Sequence, residues 1–440
     1  PGTATPRPNT ATPQPTNTGT CAAAAWDRGK VYTGGNVVSH NNGEWRAQWW
    51  TQGEEPGVTT SGVWVYVRPC GGGATATPVT PTATRTPSPT AVNPTATPIG
   101  PTPTACGTCG GGLPARLLVG YWHNFDNGSG FIRLRDVSPK YDVINVAFAE
   151  PSVPNGSTMS FIPDPATTPA EIKADIAYLR SQGKKVLISI GGANAVVDIS
   201  SATGKQNYTN SMIAIISEYG FDGMDIDLEH GVSINGSEDF RNPTSPQIVN
   251  LISASRAIAD RFGPNFILTM APETAYVQGG YATYGSIWGA YLPIIYGLRD
   301  KLTYIHVQHY NSGGLEGLDG KVYSQGTADF QVAMGEMLLK GFPVGRNANN
   351  MFPALRPDQV AIGLPASPSG ASGGYTAPAE VQKALNYLIK GQSFGGAYVL
   401  RTPGGYPKFR GLMTWSINWD RVNGYQFANN HRTYLDSLPK

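Results

Sequence analysis

Three carboxylates stand at alternate positions of one short apolar run, Phe221-Asp222-Gly223-Met224-Asp225-Ile226-Asp227-Leu228-Glu229. On a strand, alternate side chains face the same way, so Asp225, Asp227 and Glu229 share one face while Met224, Ile226 and Leu228 pack on the other. Acids this close cannot all ionise cheaply, and at least one should keep its proton near neutral pH. Glu229, the outermost, is the natural acid/base; Asp227 beside it carries charge or shares a proton with Asp225. The same trio could instead hold Mg²⁺ or Ca²⁺, or simply face water. The apolar setting argues against plain exposure, and no further carboxylate cluster completes a cage for a hard cation.

The elements that must position these acids are a series of short apolar strands. They read as Arg116–Tyr121, Tyr141–Ala149, Lys185–Ile190, Gly223–Glu229, Phe266–Ala271, Leu302–Gln308, Gln359–Leu364 and Phe409–Trp415. Helices separate several of them. Thr168-Pro169-Ala170-Glu171 reads as a capping box with proline in the first turn, and Gly183 stops that helix. Others are expected near Gln206–Tyr219, Pro246–Phe262, Ala328–Lys340 and Ala379–Ile389. Eight strands with intervening helices over residues 113–440 predict an α/β fold, a (β/α)8 TIM barrel whose site lies at the C-terminal strand ends. A doubly wound sheet is the alternative, but no GxGxxG follows the first strand. His123, His306 and His309 fall near strand ends as polar rim residues, without the spacing of metal ligands.

Upstream the composition changes. Residues 1–18 and 73–112 are Thr/Pro/Ala-rich with almost no large apolar side chains, and read as a tail or linker and as an extended linker. Between them, residues 19–72 form a separate small module. Cys21 and Cys70 bracket it and read as one disulfide closing a domain made in an oxidising compartment. Cys106 and Cys109 form a C-x-x-C that lacks the partners a metal site requires, so no metal is expected. The chain of 440 residues carries 32 basic and 30 acidic side chains, a net +2. No basic run suits nucleic acid, and no stretch of eighteen apolar residues suits a membrane. The start at Pro1 lacks signal-peptide features and reads as mature or trimmed.

Asp222-Gly223-Met224-Asp225-Ile226-Asp227-Leu228-Glu229 resembles the DGxDxDxE signature of family 18 glycoside hydrolases, the chitinases. Ser189-Ile190-Gly191-Gly192 resembles the SxGG motif ending the third strand. Met270-Ala271-Pro272-Glu273, Gln308-His309-Tyr310-Asn311 and Trp415 fall at the fifth, sixth and eighth strands. The resemblance covers residues 113–440. It implies a retaining, substrate-assisted mechanism, an exception to the two-carboxylate scheme. Glu229 would protonate the glycosidic oxygen, and the sugar's own acetamido oxygen would attack. Asp227 would hold the acetamido N–H, with Asp225 behind it, and Tyr310 would orient the acetamido carbonyl. Trp415 would floor the subsite. Tyr121, Met270, Gln308, Asn311 and Ser189 are expected as further substrate-binding residues, although Ser189 and the two glycines also read as a tightly packed strand end. Asn311 stands where the family often has Asp, which bears on pH behaviour. No cofactor is implied.

The module holds Trp26, Tyr32, Trp45, Trp49, Trp50, Trp64 and Tyr66, more rings than so small a domain can bury. Ala25-Trp26…Trp45-Arg46-Ala47-Gln48-Trp49-Trp50-Thr51…Trp64 resembles the chitin-binding modules of families 5 and 12. On that resemblance Trp49, Trp50, Trp64 and Tyr32 are expected on the binding face, and Trp26 and Trp45 in the core. Together these readings imply a secreted, monomeric chitinase acting on chitin and chito-oligosaccharides. An endo-β-N-acetylglucosaminidase of N-glycans and a non-catalytic chitin lectin are the alternatives; the module disfavours the first and Glu229 the second. Only about forty-four residues separate the seventh and eighth strands. They leave no room for a large α+β insertion once a crossover helix is counted, which predicts an open cleft and endo attack.

Overall fold

The computed structural model describes residues 21, 23–32, 36–47, 51–52, 54–57, 63–70 and 112–438. Trp49, Trp50, Cys106, Cys109 and the two Pro/Thr-rich segments, apart from Gly112, lie outside the described residues.

In the N-terminal unit, Val37–His40, Gly43–Ala47 and Trp64–Pro69 form a three-stranded antiparallel sheet, and Val31–Tyr32 pairs with Thr51–Gln52. Cys21 and Cys70 are disulfide-bonded, with their Cα atoms 4.7 Å apart. Tyr32, Val38, Ala47, Val63 and Trp64 make the core, and Trp26 and Trp45 pack against it. This corrects two expectations. Trp64 is buried, its indole N–H donating to the Glu54 carbonyl at 2.7 Å, and Tyr32 is buried with its hydroxyl accepting from the Asp27 N–H at 2.7 Å. Both rings meet edge to face, 5.3 Å apart, which spends on packing the surfaces a sugar would need. Among the described residues of the module the exposed ring is Tyr66, half accessible and set edge-on against Trp45.

The C-terminal unit is a closed barrel of eight parallel strands. They are β1 (Leu117–His123), β2 (Val143–Pro151), β3 (Lys185–Gly191), β4 (Gly223–Asp227), β5 (Ile267–Met270), β6 (Tyr304–Gln308), β7 (Val360–Pro365) and β8 (Gly411–Trp415). Each pairs with its neighbours in chain order, and β8 pairs with β1 to close the ring. The helices are α1 (Pro169–Ser181), α2 (Ala202–Tyr219), α3 (Pro246–Phe262), α4 (Leu292–Leu298), α5 (Ala328–Lys340), α6 (Pro378–Lys390), α7 (Ile417–Val422) and α8 (Gln426–Asp436). The box at Thr168 is formed in both directions. The sequence predicts no helix at α4, a seven-residue element with a proline in its first turn. Only α6 lies between β7 and β8, with no inserted sheet.

Two apolar layers hold the barrel. Met224, Ile226 and Leu228 join the large core outside the strands, beneath the helices. Burying each contributes about 1.5–3 kcal/mol. A smaller cluster fills the interior, with Leu117, Val119 and Tyr121 from β1 and Leu187, Ile267, Tyr304 and Met413 from other strands. The alternation along β4 therefore points its carboxylates into the barrel.

Candidate active site

β4 ends at Asp227, so Glu229 stands just beyond it, held out by the loop. The Tyr291 hydroxyl fixes that exit, accepting from the Leu228 N–H at 2.9 Å and donating to its carbonyl at 3.0 Å. The Tyr276 hydroxyl donates to the Glu229 carbonyl at 2.7 Å. On the other side the Gly192 N–H donates to the Asp227 carbonyl at 2.7 Å. Gly191 has φ +101°, and a Cβ there would meet that same carbonyl at 2.4 Å, so only glycine fits.

The three acids occupy three depths. Asp225 is wholly buried on the barrel floor. It accepts hydrogen bonds from the hydroxyls of Tyr121, Ser189 (2.8 Å) and Thr269 (2.5 Å), and the His306 Nε2 lies 3.3 Å away. Burial would lift its pKa, but the pull of His306 and the hydrogen bonds from His306, Thr269 and Tyr121 hold Asp225 below the usual carboxylate range. Asp227 is nearly buried above it, pushed well above that range by burial and by the charges of Glu229 and Asp225. Glu229 alone of the three is partly exposed, and burial raises it too. The Gln308 amide joins the upper pair, donating to Asp227 at 2.9 Å and Glu229 at 3.1 Å. These bonds favour the ionised forms and oppose the rise.

Around this column the structure brings some expected residues together and removes others. Tyr310 is buried beside the acids, and burial with the charges of Asp227, Glu229, Glu273 and Asp225 keeps its hydroxyl protonated. Trp415 is partly exposed at the end of β8, its ring 17° from parallel to Phe148 at 5.9 Å. Asn311 is exposed in a left-handed conformation and ties the loop after β7 down through Gly373. A substrate contact does not hold for three residues. Ser189 and Tyr121 are spent on Asp225 beneath the cleft, with Tyr121 packed under Trp415 at 5.5 Å. Met270 belongs to the outer core, because strand parity turns Thr269 and Ala271 inward instead. The histidines are not rim residues either. His123, His306 and His309 are buried, and burial pulls His123 and His309 down to about 4.

Glu273 is the acid that sequence reasoning left without a role. It sits beside β6, bridged to Gln308, and burial with the Glu229 charge lifts it to about 7. Its place in Met270-Ala271-Pro272-Glu273, just past an inward-facing strand end, was the available signal. Among the described residues no group of three or more His, Cys, Asp or Glu side chains is placed to hold a metal ion.

A barrel with a buried, graded column of carboxylates at the C-terminal end of β4 is the setting of acid-catalysed group transfer. The sequence profile of glycosyl hydrolases family 18 matches residues 117–434, and that of carbohydrate-binding module family 5/12 matches residues 25–65. The chain belongs to glycosyl hydrolases family 18. It is 61% identical over 327 residues to Chitinase D of Niallia circulans, covering 74% of this chain and 62% of that protein. It is 45% identical to a probable class II chitinase of Arthroderma benhamiae, covering 70% of this chain and 95% of that one. A family 18 chitinase structure from Chromobacterium violaceum superposes with a TM-score of 0.69 at 39% identity, covering 94% of this chain and 100% of that chain. The chain thus spans about three fifths of the length of the Niallia protein.

Proposed function

We propose that the chain is a secreted chitinase that hydrolyses β-1,4 links between N-acetylglucosamine units with retention of configuration. The observation that carries this reading is the Gln308 amide joining Asp227 and Glu229 at the one point where the acid column reaches solvent. The relatives named chitinase support the substrate. In this reading Glu229, kept protonated by burial, gives its proton to the glycosidic oxygen as the C–O bond breaks. The acetamido carbonyl oxygen of the same sugar bonds to the anomeric carbon, giving an oxazolinium ion. Asp227, charged when Glu229 is not, accepts the acetamido N–H. Tyr310 donates to the acetamido oxygen and Trp415 floors the ring. Water, deprotonated by Glu229, then opens the ion and restores the acid.

The module and the Cys21–Cys70 bridge support an extracellular enzyme held on chitin. Glu229→Gln keeps the side-chain volume and removes the proton donor. It should lower kcat on chito-oligosaccharides by at least about a hundredfold at a melting temperature no lower than that of wild type. Activity within about threefold of wild type would overturn the role. The lack of a sheet between β7 and β8 supports endo attack. Viscosity of a soluble chitin derivative should fall well before reducing ends accumulate; disaccharide release at constant viscosity would contradict it.

A further inference from the structure

A cleft of about 520 Å³ opens at the ends of β1, β2 and β3, lined in part by Phe125, Asp126, Phe148, Glu150, Ala193 and Asn194. It adjoins the acid column, because Phe148 packs on Trp415 and Gly191, which also lines it, abuts the Asp227 carbonyl. Its rings cluster about Trp415: Phe125 lies 6.4 Å from Phe148 and 19° from parallel, and His123 packs between Phe125 and Trp415 at 4.8 and 4.6 Å. Phe125 and Phe148 both line the cleft and give it an aromatic wall against which the apolar face of a pyranose can pack. Among amides and hydroxyls from Asn124, Asn127, Ser152, Ser160 and Asn194, the charged groups of the cleft are of one sign. Asp126 and Glu150 contribute carboxylates, and no Lys, Arg or His lines the cleft.

Both acids have lone pairs to offer. Asp126 spends Oδ1 on the N–H groups of Gly128 (2.8 Å) and Gly130 (2.9 Å), which fixes the side chain at the cleft edge while Oδ2 takes neither. Glu150, at the end of β2, is exposed, so its carboxylate is open to a cation that enters the cleft. A neutral acetamido group gains little from two carboxylates, whereas an ammonium gains Coulombic attraction and charge-assisted hydrogen bonds.

We propose that this arm of the cleft takes a sugar bearing a free amine, so that the protein recognises partly deacetylated chitin beside the acetylated unit seated on Trp415. The proposal rests on the hydrolase reading only for its name as an enzyme subsite; the binding stands on the cleft itself. The acids distinguish deacetylated from acetylated neighbours and leave the reacting sugar untouched.

Calorimetry with glucosamine trimer and with its fully N-acetylated counterpart tests this at pH 5.5, where the amines are charged. Asp126→Asn keeps the Oδ1 that accepts from the two glycines, and Glu150→Gln keeps shape, so both variants should fold. The double variant should lose about three- to tenfold in affinity for the glucosamine trimer and stay within about twofold for the acetylated one. Raising salt from 0.05 to 1 M should erase most of the wild-type preference, as screening shortens to about 3 Å. Equal affinities of wild type and double variant for the glucosamine trimer would overturn the proposal. Hydrolysis of the acetylated oligomer, measured alongside, reports separately on the enzyme reading: its failure with the charge preference intact would sink only the reaction.

Discussion

The floor and the mouth of the barrel hold the same kind of side chain in opposite states. On the floor, Asp225 meets three hydroxyls and an imidazole, and it stays ionised although fully buried. At the mouth, Asp227, Glu229 and Glu273 share one amide donor between two of them, and all three are pushed toward the protonated form. Burial raises every one of these acids. What separates them is the company each keeps: Asp225 has the His306 imidazole and several hydroxyl donors, whereas Asp227 and Glu273 face other carboxylates. An ionised floor also sends its charge upward, raising Asp227 and so helping to keep a proton in the pair above. The site is built from beneath.

The comparison breaks most severely if the floor is emptied. Asp225→Ala leaves three hydroxyls and His306 facing a hole, and should destabilise the barrel by about 3–5 kcal/mol in denaturant unfolding. A variant as stable as wild type would mean that the donors, not the carboxylate, organise the floor. A smaller effect sharpens the mouth. Glu273 has a folded pKa of about 7 against an ordinary 4.5, so the folded protein holds this proton more tightly than the unfolded chain. At pH 4 both states are protonated and no cost arises. Between those values the unfolded state ionises first, and the cost grows to at most about 3 kcal/mol. Glu273→Gln should therefore melt higher than wild type at pH 8 and match it at pH 4. No gain at pH 8 would show that Glu273 is better solvated than its setting implies.

The sequence made β4 legible because alternation assigns faces without knowledge of depth. Asp225, Asp227 and Glu229 read correctly as one inward face for that reason. Depth is what periodicity lacks. Tyr121 and Ser189 stand near strand ends in the sequence, yet barrel stagger sets Ser189 opposite Asp225 and lets the long Tyr121 side chain reach it from β1. Met270 was open to the same parity argument as β4, since Thr269 bonds to Asp225 and its neighbour must then face out. His306 shares the inward parity of Tyr304 and Gln308, but nothing in its local run announces a buried acid partner. In the module, Trp64 and Tyr32 carry the composition of a binding face and the contacts of a core. Only the register of the paired strands separates those two readings.

Proton occupancy along β4 is the centre of this account, and it can be read directly. Uniform carboxyl ¹³C labelling, with Asp225→Asn and Glu229→Gln spectra to assign the signals, gives the titration of each acid from pH 2 to 9. Asp225 should already be ionised below the ordinary carboxylate range while the Asp227–Glu229 pair keeps one proton above it. An Asp225 signal that titrates after Glu229 would contradict that order.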